Sequence, residues 1–102
     1  MTKIEIDLIT QEILEAALIS AAQEMGGALK FSSYSPIIRD MEDFSCAIFD
    51  ATGALIANAP HVPVHLGAMG ESVRTVIRTR GATLKPGDVV ALNNPYNGGT
   101  HL

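Results

Sequence analysis

Three histidines, at positions 61, 65 and 101, are the residues whose type and placement point most directly to chemistry. Neutral imidazole binds divalent metals and moves protons near neutral pH. His101 closes the run Asn93-Asn94-Pro95-Tyr96-Asn97-Gly98-Gly99-Thr100, which follows the apolar Val89-Val90-Ala91-Leu92. Loops at strand ends commonly carry functional side chains, and paired glycines admit backbone conformations that other residues resist. No carboxylate stands immediately beside His101, so a metal held there needs donors from elsewhere. A loop of this kind makes a poor chain end, and the sequence reads as the front piece of a larger subunit.

His61 and His65 stand four residues apart, the spacing that puts two histidines on one face of a zinc-protease helix. Here Val62 replaces the required glutamate and Pro63 lies between them, so that motif is absent. Taken singly, each histidine reads as a surface or hydrogen-bonded residue. Taken together, in two Gly/Pro-bearing loops, they form a candidate site. Gly98-Gly99-Thr100 has the composition of a phosphate-cradling nest but lacks the lysine of a P-loop, and a simple tight turn explains it equally well. Ser45 and Cys46 offer nucleophiles, but no base is identifiable beside them. Cys46 reads instead as a buried, inert thiol.

The elements that must position these residues follow from periodicity and punctuation. Asp7 to about Lys30 reads as one long helix, capped by the Asp7 carboxylate. Leu14, Leu18, Ala21, Met25 and Ala28 fall on one stripe that packs on a sheet. Gly26-Gly27 marks close packing or an early end. Ser32 to Pro36 breaks the helix, and Ile37 to Asp43 is a polar connector. Phe44–Phe49 and Ala54–Ala57 form a hairpin across Asp50-Ala51-Thr52-Gly53, an Asx start with a glycine for positive φ.

Asn58 to Leu66, with Pro60 and Pro63, is expected to be a rigid loop or sheet edge. A second helix starts at Ala68 or Gly70 and runs to Arg80, with Gly81 as its stop. Lys85-Pro86-Gly87-Asp88 is a turn that launches a further strand, Val89–Leu92. The expected fold is α+β over residues 1–102 as one unit: a long N-terminal helix on a small sheet containing the hairpin, a second helix and the further strand.

Composition narrows the function classes. With 7 basic and 11 acidic residues the formal charge is -4, and no basic stripe appears, which excludes an ordinary nucleic-acid surface. One cysteine in 102 residues permits no intrachain disulfide and fits a reducing compartment. No run approaches the roughly 20 apolar residues that cross a bilayer, so a cytoplasmic location without membrane contact is expected.

In order along the chain, several blocks resemble the hydantoinase B / 5-oxoprolinase / acetone carboxylase alpha-subunit family. They are Glu24-Met25-Gly26, Tyr34-Ser35-Pro36, the segment from Asp43 to Asp50, and Gly53-Ala54-Leu55-Ile56-Ala57. The series continues with His61-Val62-Pro63-Val64-His65-Leu66-Gly67-Ala68-Met69, Lys85-Pro86-Gly87-Asp88, and the segment from Asn93 to Leu102. The histidine-bearing blocks are the specific ones. Where the family usually has Asn-Asp-Pro, this chain has Asn93-Asn94-Pro95.

The resemblance implies an ATP-dependent amidohydrolase or carboxylase, of which this chain is the N-terminal part. ATP is used by a partner, a hydantoinase-A-like ATPase subunit or domain of the actin-like class. Cyclic amides or small ketones are the implied substrates. It further implies His101 as a ligand of a divalent metal (Mn, Zn or Fe) in the full-length protein. From the joint occurrence of the two histidine-bearing loops, His61 and His65 are expected to be active-site loop residues, in proton transfer, and a homo- or hetero-oligomer is the expected assembly. On this reading the 102-residue chain by itself is inactive.

Overall fold

In the computed structural model, residues 4–59 and 63–100 are described. Helix α1 spans Leu8–Ser32 and opens as its sequence requires. The Asp7 side chain accepts from the Thr10 amide at 2.7 Å, satisfying one of the donors that every helix start leaves open. That bond, together with the Thr10 side chain, holds the exposed Asp7 carboxyl below its ordinary value. At the other end the Ser33 amide closes onto the Leu29 carbonyl at 3.1 Å.

Strands β1 (Cys46–Phe49) and β2 (Leu55–Ala59) pair antiparallel as a two-stranded sheet, with Cys46 opposite Ala59 and Ile48 opposite Ala57. The register shifts between Ile48 and Phe49, where the chain enters the turn. Asp50 organises that turn: its Oδ1 accepts from the Thr52 amide, the Thr52 hydroxyl and the Ala54 amide. These bonds, led by the Thr52 hydroxyl, hold the Asp50 carboxyl below its ordinary value. Gly53 supplies the left-handed φ of 88°.

Helix α1 packs on both strands. The residues buried on the two sides are small: Ala22 and Gly26 on the helix, Ala57 and Ala59 on β2. Gly26 therefore serves close approach, and α1 runs straight through Gly26-Gly27. The burial differs from the expected stripe. Leu14, Met25 and Ala28 are exposed, and the covered line runs through Ala22 and Gly26, with Leu18 partly covered. Small side chains minimise the helix-to-sheet distance, so they decide which face docks. Length explains the rest. A 25-residue helix is about 37 Å long, whereas strands of four and five residues cover under half of that. The first turns of α1 overhang the sheet, with Leu8, Ile9 and Ile13 open to solvent.

A short helix, α2 (Pro36–Arg39), occupies part of the segment expected to be a connector. Helix α3 spans Pro63–Arg80 and packs on β1. It starts five residues or more before the expected Ala68 or Gly70, because Pro63 stands in its first turn, where a missing amide costs nothing and a fixed φ helps. His65 and Leu66 are therefore helical rather than part of a rigid loop. Gly81 ends α3 as expected, its amide returning to the Ile77 carbonyl at 2.8 Å.

Val89–Leu92 forms no strand. Among the described residues no third strand pairs with the hairpin, and Val89 is exposed. An apolar run without a neighbour to share its backbone hydrogen bonds does not become sheet. Asn94–Thr100 then closes the described chain, with a 3-10 turn at Pro95–Asn97. The α+β class stands, built as a long helix on a two-stranded sheet with a further helix beside it.

Candidate functional site

The described chemistry collects where α3 begins, facing the chain between α2 and β1. After α2 the backbone turns sharply. Glu42 takes a φ of 53°, left-handed for a non-glycine, and the Phe44 amide closes onto the Glu42 carbonyl at 2.8 Å. The Asp43 amide reaches back to the Ile37 carbonyl at 3.1 Å. Lys30, in the last turn of α1, bridges to the Glu42 carboxylate at 2.8 Å and ties the turn to the long helix. Strain at such a position persists only where the surroundings impose it. Its effect here is to aim Asp43 across at α3.

His65 answers from the first turns of α3. Its Nε2 lies 2.6 Å from Asp43 Oδ1, and the pair is partly buried. A carboxylate at that distance orients the imidazole. The two residues share the wall of a cleft of about 420 Å³ with Ile37, Phe44, Ser72 and Thr100. Ser72 stands seven residues after His65, two turns along the same helix face. Its hydroxyl donates to the Gly98 carbonyl and brings the Asn94–Thr100 turn onto α3.

The cleft thus joins one expected site residue, His65, to the residue before another, Thr100. His61 and His101 lie outside the described residues. Among the described residues, no group of three or more His, Cys, Asp or Glu side chains converges. Asp43 and His65 are the two donors present. They are an oxygen and a nitrogen ligand of the kind that suit a divalent transition ion, and a third is needed to complete a site.

A larger groove, about 710 Å³, lies between the hairpin turn, α3 and the Ala82–Leu92 segment. It is apolar and carries no described imidazole. Its carboxylates, Asp50 and Asp88, serve their own turns, with Asp88 accepting from the Lys85 amide. The smaller cleft is the better candidate for chemistry. Cys46 is buried, and burial pushes its thiol up, as expected for an inert cysteine rather than a nucleophile. In the sequence Asp43 stands out only as the end of the polar connector and the first residue of a family-resembling block. Pairing it with His65 requires knowing that Glu42 turns left-handed and that α3 begins at Pro63.

Comparison with known proteins places the chain. Arabidopsis thaliana 5-oxoprolinase 1 is 45% identical over 96 residues, covering 94% of this chain and 8% of that protein. The 5-oxoprolinase of Saccharomyces cerevisiae is 44% identical over 100 residues, covering 98% of this chain and 8% of that protein. A Pseudomonas protein, named as a candidate B component of a D-/L-hydantoinase, is 37% identical over 101 residues, 95% of this chain and 17% of that protein. The chain therefore spans a small part of the length of these relatives. No solved structure matches it significantly. The family model described as hydantoinase B/oxoprolinase matches residues 7–102, and this chain belongs to that family.

Proposed function

We propose that this chain supplies part of the active-site body of a hydantoinase- or oxoprolinase-like amidohydrolase that opens a cyclic amide by C–N hydrolysis. The observation that carries the reading is the Asp43–His65 pair, held at 2.6 Å in a cleft that Thr100 also lines. Ring opening adds water to the amide carbonyl carbon, breaks the C–N bond and delivers a proton to the departing nitrogen. A histidine oriented by a carboxylate can take the proton from water and return it to nitrogen. Asp43 holds the ring and balances its charge while it carries that proton.

His61, four residues before His65, is assigned a second role in proton transfer. A divalent ion would draw on His101, the residue after Thr100, and leave the Asp43–His65 pair to the proton. Such an ion, when bound, polarises the carbonyl or activates water. Amide resonance makes the carbonyl a poor electrophile. Phosphorylation of the carbonyl oxygen by a hydantoinase-A-like, ATP-using partner would activate it, with phosphate released after water has added; the relative named as a B component of a hydantoinase supports the existence of a partner subunit. Cytoplasmic residence belongs to the same proposal; among the described residues no helix is long and apolar enough to cross a membrane.

The test is a chimera in which this segment replaces the matched segment of the yeast 5-oxoprolinase. ATP-dependent conversion of 5-oxoproline to glutamate is expected to survive the exchange. It should fall by at least about 100-fold with His65→Ala, the usual scale of a lost general acid–base group. Undiminished turnover in that variant removes His65 from the reaction.

A second reading, assembly, rests on a separate observation. The accessible surface is 7869 Å², against about 5,500 Å² for a compact monomer of this mass. The open residues include Ile9 and Ile13 on α1, and exposed apolar patches of this kind mark docking surfaces. Light scattering on the chain, with and without Ile13→Asp, distinguishes an associating surface from an inert one.

A further inference from the structure

Two features of the Asn94–Thr100 turn are explained by neither its own hydrogen bonds nor the proposed chemistry. The first is Gly98. Its φ is 87°, and a Cβ placed there would stand 2.6 Å from Thr75 Oγ1 and 2.9 Å from Thr75 Cβ. Thr75 is the buried polar residue of α3, 5% exposed. It is β-branched, helical and buried, so few rotamers are open to it. The second is Ser72, whose hydroxyl leaves its own helix to donate to the Gly98 carbonyl. Serines inside helices ordinarily bond back to the carbonyl four residues earlier; here that contact, to Ala68, is a long 3.4 Å.

Inside the turn, Asn94 Oδ1 accepts from the Tyr96 amide at 3.0 Å, and the Gly99 amide returns to the Asn94 carbonyl at 2.8 Å. These bonds shape the turn, and Ser72, on the carbonyl of the Gly98–Gly99 peptide, and Thr75 hold that peptide in place and fix where the turn sits. Thr100 lines the cleft of Asp43 and His65.

We infer that Ser72, Thr75 and Gly98 are positioning residues: a hydroxyl clamp and a side-chain-free contact that seat the terminal turn on α3 and so hold Thr100 at the Asp43–His65 cleft. This rests on the proposed function for what the cleft does, but not for the seating itself. Ser72 and Thr75 lie one turn apart on the same side of α3 as His65. A single rigid helix thereby sets the spacing between the imidazole at its start and the turn docked further along.

The test uses the 102-residue chain and three substitutions: Ser72→Ala, Ser72→Thr and Gly98→Ala. Amide exchange at Gly99 reads the seating, NMR cross-peaks between Thr100 and Asp43 or His65 read the presentation, and Zn²⁺ titration tests the metal reading. Ser72→Ala is expected to speed Gly99 exchange about five- to tenfold, the worth of one side-chain hydrogen bond. It should also weaken the cross-peaks while the far-UV spectrum is kept. Ser72→Thr, which retains the hydroxyl, should restore both. Gly98→Ala should abolish the cross-peaks altogether.

Unchanged Gly99 exchange and intact cross-peaks in both Ser72→Ala and Gly98→Ala overturn the inference. Zn²⁺ binding that is absent, or that survives His101→Ala, overturns the metal reading alone. With the cross-peaks present and sensitive to Ser72, the seating is then supported on its own.

Discussion

Two turns of this molecule use the same local chemistry and reach opposite ends. At Asp50–Gly53 and at Asn94–Gly98, a short polar side chain caps its own backbone, and a glycine near φ 88° completes the bend. Both glycines lean on neighbouring residues of α3. A Cβ on Gly53 would meet Arg74 Cγ at 3.0 Å, whereas one on Gly98 would meet Thr75 Oγ1 at 2.6 Å. Arg74 is long and exposed and can swing aside; Thr75 is short, branched and buried. The hairpin turn therefore depends on itself and tolerates its neighbour. The terminal turn owes its location to the helix. Identical turn sequences would not reveal this, because the distinction lies in what each glycine faces.

The sharpest way to break that contrast is Gly53→Val. A β-branched residue at positive φ, in a buried position, adds strain to a contact that Arg74 must vacate, and about 3 kcal/mol of stability should be lost. Urea unfolding followed by circular dichroism measures it. Gly53→Ala should cost about 1–2 kcal/mol, mostly the left-handed penalty. Adding Arg74→Ala to that variant should recover part of the loss, as a double-mutant cycle would show. No recovery would mean that Arg74 is as unyielding as Thr75, and the contrast would fail.

Smaller effects test the self-sufficiency of the hairpin turn. Asp50→Asn weakens three bonds at once and should lower the melting midpoint by a few degrees at neutral pH. The acid limb carries the sign. The Asp50 carboxyl titrates lower when folded than when unfolded, chiefly because of the Thr52 hydroxyl. Its stabilisation is thus complete above the unfolded value near 4 and is lost as pH falls through the folded value. Melting midpoints below about pH 4 should therefore decline less steeply in Asp50→Asn. The smallest effect concerns Cys46, whose buried thiol is pushed up. Iodoacetamide at pH 8 should label it at least about tenfold more slowly than a free thiol, with full reactivity restored in urea.

Much of this molecule is legible along the chain, for a physical reason. Asp7 caps α1, Gly81 stops α3, and Asp50 with Gly53 bends the hairpin, because each is a bond or a dihedral spanning only a few residues. Expectation and structure part where one residue type serves two purposes. Pro63 has the character of a structure breaker and instead begins α3, which moves His65 from a loop to a helix. Val89–Leu92 has the composition of a strand but needs a partner strand that the described chain does not provide. On α1, apolar periodicity points to Leu14 and Met25, while the docked face centres on Ala22 and Gly26.

The site divides the same way. His65 is identifiable from its type and its neighbours, yet its carboxylate partner lies 22 residues earlier and its cleft borrows Thr100 from 35 residues later. Family membership, the capped helix, the hairpin and the glycine turns were decided by the order of residues, since each depends on short-range bonds or on a shared linear pattern. The Asp43–His65 pair, the face that α1 presents and the seat of the terminal turn on Ser72 and Thr75 were decided only in three dimensions. Contacts between distant segments depend on where the backbone carries them, and close approach is set by which side chains are small enough to permit it.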